Sequence, residues 1–312
     1  MADNTQSIHQ EKEKTALLSV VSNTFLVILK LIVGLALGSV SIISEAIHSG
    51  MDLLASVVAY FSVKKSAQAP DDDHSFGHGK YESFSGLFEA ILIFVAAALI
   101  IYEAVRKIFE PSSEPLDPTL MLAGMAVMGI SALANAYVSS RLMKIAKKAE
   151  SIALESDAWH LRTDVYTSVG VLIGLILIRL TGITILDSIV AICVALVIIK
   201  AAYDLTQKSY KDLIDCSLTD DEVQRITKII CEHNSDYVSY HGLRTRRAGP
   251  EIFVEFHLVV DKFVSVEQSH DLTDHLEDDL KLEFPRAYIT IHVEPNTGEN
   301  AQKPSLCENI PK

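Results

Sequence analysis

The sequence predicts an α-helical membrane domain of six transmembrane helices followed by a smaller α+β domain, on three observations. Six apolar stretches, near 15–37, 41–63, 84–108, 118–139, 159–180 and 185–207, each supply the ~20 helical residues that a bilayer crossing requires. Hydrophobic residues make up 49% of the 312, yet the formal net charge is -13, and most of that charge sits after residue 208, where no long apolar stretch remains. Beyond that point short helical and alternating patterns replace the long apolar ones, as expected of a water-exposed, mixed domain.

Residues 1–14 are polar and read as a cytoplasmic N-terminal segment; no cleavable leader is expected, and the first span serves as an anchor. Only Gly38, Ser39 and Val40 join the first two spans, a tight helical hairpin, and Pro111, Pro115 and Pro118 punctuate the next turn on the same side. Lys12, Lys14, Lys64, Lys65, Lys80, Arg141, Lys144, Lys147, Lys148 and Arg162 flank one face of the spans, against Arg106, Lys107 and Arg179 on the other. The positive-inside rule therefore places both termini in the cytoplasm. The six spans make up a membrane domain over 15–208.

In residues 209–295, Thr219 and Glu222 form a capping box ahead of a helix with Ile226, Ile229 and Ile230 on one side. Strands are predicted over 237–245 and 252–260, separated by a turn at 246–250, then an acidic helix over 266–282 and a last strand over 287–293. The order α-β-β-α-β on about 85 residues fits a ferredoxin-like sheet with helices on one face. Residues 296–312 lack periodicity and read as a mobile tail. Cys193, Cys216, Cys231 and Cys307 form no C-x-x-C pair and read as reduced, incidental thiols.

The chemistry concentrates in a repeated pair. His48 and Asp52, and again His160 and Asp164, stand four apart inside apolar segments, so each pair projects an imidazole and a carboxylate from one helix face. Ionisable groups at membrane depth are costly and mark function. Two His nitrogens and two Asp oxygens complete the four-coordinate shell that zinc prefers. Asn23 and Asn135 either line an ion path or bond neighbouring helices. Glu45 stands three residues before His48, placed to accept an imidazole N–H or to face water, and Lys30 and Glu89 lie deep without an evident partner. The acidic last third argues against nucleic acid and attracts cations. The sequence contains no Walker A loop, nucleophile triad or Rossmann glycines, so an enzyme is not expected.

Four pieces in order carry a family resemblance: Gly38-Ser39-Val40-Ser41, Asp71 through Lys80 (DDDHSFGHGK), the His160/Asp164 pair, and Leu243-Arg244-Thr245-Arg246. Over nearly all of residues 10–295 the chain resembles the cation diffusion facilitators, zinc-type divalent cation/proton antiporters with six membrane helices and a ferredoxin-like tail domain. The resemblance implies a transport site at His48, Asp52, His160 and Asp164, a loop site at Asp71, His74 and His78, and a cytoplasmic-domain site at His241, His257, His270, His292 and Glu294. The family often has Asp where Glu294 stands. Asp271 and Asp274 are further carboxylates near that site, while His233 and His275 read as surface histidines. The resemblance also implies a salt bridge from Lys80 to Asp215 that couples the two domains.

Function follows as an expectation: an integral, multi-pass homodimer of the cell's inner (plasma) membrane, exporting zinc against protons by alternating access. Zinc is expected both as substrate and as regulatory ligand. Iron(II), cobalt, nickel and cadmium remain open as substrates. A channel, or a membrane metal sensor or scaffold that does not transport, is the competing reading.

Overall fold

The computed structural model describes residues 2–37, 40–109, 118–181 and 185–298. Two compact units divide near residue 210.

The first unit holds six long helices: α1 (Ala2–Leu37), α2 (Val40–Ser66), α3 (Lys80–Phe109), α4 (Pro118–Ala149), α5 (Ile152–Thr181) and α6 (Ile185–Leu213). Four of them contain stretches long and apolar enough to cross a membrane among the described residues: Ser7–Ala36, Ala46–Ser66, Lys80–Phe109 and Ser188–Leu213. Gly38 and Ser39 of the expected hairpin, and Pro111 and Pro115, lie outside the described residues. α1 packs along α2, α4 along α5, and α5 touches α2 and α3. This brings the two predicted ligand pairs, on α2 and α5, into one bundle.

Each helix outlasts its apolar stretch. α1 runs through the polar segment 2–14, α4 continues ten residues past the expected end at 139, and α5 starts at Ile152 rather than 159. Helical hydrogen bonds close within the segment whether or not lipid surrounds it, and Ala, Glu and Lys are good helix formers. The charged extensions are tied to one another: Lys148 Nζ donates to Glu11 Oε2 at 2.5 Å and Lys208 Nζ to Glu155 Oε2 at 2.5 Å. Lys12 is no surface marker of membrane sidedness. It is fully buried and ion-paired to the equally buried Glu82, which also accepts from Ser66 Oγ at 2.8 Å and from Ser151 Oγ. Glu150 between α4 and α5 adopts the left-handed conformation (φ 51°), and Ser151 N–H reaches back to Ala146 O at 3.0 Å, which ends α4 before the chain turns.

The second unit contains α7 (Asp220–Glu232), β1 (Ser239–Ala248), β2 (Glu251–Val260), α8 (Val266–Glu283) and β3 (Ala287–Pro295). The sheet order is β1-β2-β3, antiparallel between β1 and β2 and parallel between β2 and β3. Both helices are started by capping boxes: Thr219 with Glu222, and Ser265 with Gln268. One sheet face is packed against the helices. Ile252, Val254, Phe256 and Leu258 of β2 share a buried core with Ile226 and Ile230 of α7 and Leu276 and Leu280 of α8. Because side chains alternate along a strand, Phe253, Glu255 and His257 belong to the other face.

The expected turn at 246–250 shrinks to two residues, since Arg246 pairs with Phe253 and Arg247 with Ile252 in the β-ladder. Gly249 (φ 61°) supplies the turn's left-handed residue. The arginines belong to the strand because each has a partner there: Arg246 lies over the Phe253 ring at 3.9 Å, and Arg247 is ion-paired with Glu222. Cys193 and Cys216 are free thiols, and Cys307 lies outside the described residues. Residues 299–312 of the expected tail lie outside the described residues.

Candidate metal centre

α2 and α5 present their candidate ligand pairs to each other. His160 Nε2 stands 3.1 Å from Asp52 Oδ1, and His48 Nε2 stands 3.8 Å from Asp164 Oδ1. One ligand atom each from His48, Asp52 and Asp164 falls within 4.8 Å of the others. Asp52 and His160 are buried, while the His48 side chain is 53% exposed, so the cluster opens toward His48. Asn135 Nδ2 donates to Asp164 Oδ2 at 3.1 Å and Asn23 Nδ2 to the Asp52 backbone oxygen at 3.5 Å. Both asparagines thus bond neighbouring helices and do so at the cluster itself. Lys30, without an evident partner in the sequence, donates to Ser49 Oγ at 2.8 Å beside His48. The Glu45 side chain lies outside the described residues.

His160 lies outside that 4.8 Å group and joins it through Asp52; with it, two imidazole nitrogens and two carboxylates make a mixed N/O donor set. Such a set suits zinc and its first-row neighbours, whereas magnesium and calcium require all-oxygen shells.

The loop between α2 and α3 gathers a second set. Asp71 Oδ1 lies 3.0 Å from His74 Nδ1, and Asp71 Oδ2 lies 3.3 Å from His78 Nε2. The three ligand atoms fit within 4.8 Å. The segment is a turn: Asp71 and His74 exchange backbone hydrogen bonds at 3.3 and 3.2 Å, and Gly77 is left-handed (φ 80°). Burial pushes the Asp71 carboxyl up, but the His74 side-chain and backbone hydrogen bonds outweigh it and hold the group below its ordinary value.

In the second unit, strand register builds the third set. His241, His257 and His292 are paired side by side across β1, β2 and β3, with ring centroids 5.0 and 4.9 Å apart. Glu294 bridges them: its carboxylate lies 2.7 Å from His257 Nδ1, 3.7 Å from His241 Nε2 and 4.0 Å from His292 Nε2. Gly242 (φ 65°) makes room, because a Cβ there would stand 3.3 Å from His257 Cδ2 in a conformation that other residues resist. His270 is not brought to this cluster within the chain. It sits on α8, its side chain 70% exposed, 3.5 Å from Asp274, and α8 covers the opposite face of the sheet.

Lys80 opens α3 in the first unit, and Asp215 follows α6 in the second. Within that second unit Asp215 Oδ1 accepts from Arg246 Nη1 at 3.3 Å. Sequence reasoning did not anticipate that arginine's partner, the buried Lys12–Glu82 pair or the buried Asp157, one turn before His160. The signal for Asp157 was its spacing: three residues before His160, it shares that side of the helix.

Residues 16–214 match the model of the cation efflux transmembrane domain, and residues 218–296 that of the cation efflux protein cytoplasmic domain. The chain belongs to the cation diffusion facilitator family. The members of this family are transporters and not enzymes. Among relatives, the transporter sll1263 of Synechocystis is 35% identical over 83% of this chain and 82% of its own length. The cation-efflux pump FieF of Shewanella oneidensis is 30% identical over 89% and 92%. A solved chain of CzrB in a zinc form is 46% identical over 27% of this chain and 93% of that one, with a TM-score of 0.25. The protein is therefore an integral membrane cation efflux transporter with a helical membrane domain and a C-terminal domain of helices and a three-stranded sheet.

Proposed function

We propose that this transporter moves zinc out of the cytoplasm in exchange for protons, by alternating access, as a homodimer in the cell's inner membrane with both termini cytoplasmic. The observation that carries the reading is the convergence of His48, Asp52, His160 and Asp164 from α2 and α5. Imidazole ligates a metal only when neutral, so protons and zinc compete for His48 and His160, and an inward proton gradient drives the ion outward. Because the two pairs sit on different helices, a relative shift of α2 and α5 opens and closes the shell without unfolding either.

In the cytoplasmic domain, His241, His257, His292 and Glu294 form a regulatory zinc site on the sheet face that the helices leave uncovered. His270 reaches such a site only from a second copy of the chain. The turn of Asp71, His74 and His78 is a third site, at the start of α3. Lys80 and Asp215 couple the two domains in this reading, with Arg246 competing for Asp215.

The experiment is zinc flux into sealed proteoliposomes with and without an imposed pH gradient, repeated with cadmium, cobalt, nickel and iron(II). Gradient-stimulated zinc movement is expected. Flux that ignores the gradient would make the protein a channel, and no flux of any metal would make it a sensor.

A further inference from the structure

We propose that Glu89 and Asp157, with Ser19, form an oxygen-only cation station on the cytoplasmic approach to the His48/Asp52/His160/Asp164 cluster, closed in this conformation by the Lys12–Glu82 ion pair. The proposal rests on the transport reading above. Glu89 on α3 and Asp157 on α5 are both fully buried and face each other where these helices pack. Two adjacent carboxylates out of water repel and lose their hydration, a cost that a cation or a proton between them relieves. Their hydrogen bonds do not compensate. Glu89 Oε1 accepts from Ser85 Oγ at 3.4 Å, but Glu89 Oε2 and both oxygens of Asp157 make no hydrogen bond. Ser19 of α1 adds an independent mark: its hydroxyl is fully buried beside Asp157 and has no partner within hydrogen-bond geometry. Three helices thus bring four oxygen atoms with unused lone pairs to one place.

The position gives the cluster its role. Asp157 precedes His160 by three residues, about 4.5 Å of helix rise. In the other direction, Glu82 precedes Glu89 by seven residues on α3, and Lys12 precedes Ser19 by seven on α1, so each pair lies on one helix face two turns apart. The Lys12 ammonium, held by Glu82 beside Ser66 and Ser151, occupies the same buried file as a tethered cation. An incoming ion must part that pair, meet the carboxylates, and then reach the imidazoles. Carboxylate and hydroxyl oxygens hold a first-row ion less tightly than a set with two imidazoles, so the ion moves toward the stronger site and does not lodge at the first. The ligand class is a divalent cation, taken with little selectivity.

The test is transport by the full-length protein in proteoliposomes, varying metal on the cytoplasmic face. Glu89→Gln and Asp157→Asn are expected to raise the KM for zinc about tenfold with kcat within about twofold, while Glu89→Asp stays near wild type. Ser19→Ala, which removes no charge and supplies the answer if the carboxylate variants fail to fold, should raise KM about threefold. Unchanged KM in the folded variants overturns the station. So does an altered dependence on the pH gradient at unchanged KM, which would make the pair a proton carrier. Wild-type protein that carries another divalent metal and no zinc refutes zinc as the cargo, and the same KM ratios measured with that metal then decide the station separately.

Discussion

His160 Nε2 and Asp52 Oδ1 meet at 3.1 Å from positions 108 residues apart, joining the α5 ligand pair to the α2 pair inside the bundle. The contact links the four candidate ligands. Asp52→Ala or Asp164→Ala is expected to abolish zinc flux, by at least about a hundredfold, while leaving a folded, membrane-inserted protein. Flux assays beside size-exclusion profiles check this, and near-normal transport in either variant would remove the assignment.

Asn135 meets the site through its hydrogen bond to Asp164. Asn135→Ala should weaken apparent zinc affinity by about 10- to 100-fold, the usual cost of losing a group that orients a metal ligand. A rise in KM with kcat largely kept is the expected signature.

His48 is the most exposed of the four ligands and has room to change. His48→Asp should shift the cadmium-to-zinc rate ratio upward, because a carboxylate able to bind through two oxygens suits the larger ion better than one nitrogen does. Equal ratios before and after the change would place selectivity elsewhere.

The Lys12–Glu82 pair is fully buried, so removing one partner leaves a charge stranded. Lys12→Met should cost about 3–5 kcal/mol, seen as a lowered melting temperature in detergent. The double variant Lys12→Met/Glu82→Gln should recover much of that loss, since it strands nothing.

Zinc should raise the melting temperature of the second unit, which has its own hydrophobic core, because an ion bound only to the native form stabilises it by mass action. His257→Ala should cancel most of the shift. The effect should fade in acid, since a protonated imidazole cannot ligate. Calorimetry with zinc and with chelator at two pH values decides it.

Glu222 links α7 to β1. Burial raises its carboxyl, but the Thr219 hydrogen bonds and Arg247 together hold it below its ordinary value. A carboxyl depressed in the folded state contributes stability above its unfolded value and loses it as pH falls through the folded one. Acid should therefore destabilise the second unit below about pH 4.3, the ordinary glutamate value, and Glu222→Gln should flatten that part of the stability curve. Matching curves for wild type and variant would show that the ion pair carries no such weight.

The sequence by itself determined the number and order of the elements and the shared helix face of each His/Asp pair on α2 and α5. Helical and strand periodicities are local, and a His and an Asp four apart share a helix face wherever the helix lies. The Thr219 capping box was legible for the same reason. Tertiary structure decided what depends on which surfaces meet. Lys12 reads as a flanking charge until Glu82, 70 residues away, closes on it in a buried pocket. Arg246 and Arg247 read as turn residues until Phe253 and Glu222 hold them in the strand. His241, His257 and His292 become one cluster through strand register, which also sets them on the face opposite the helix that carries His270. Asp157 gains meaning only because packing sets it against Glu89. Local patterns follow from bonding along one segment, whereas burial and charge pairing are settled between segments, where the cost of an unpaired group selects the partner.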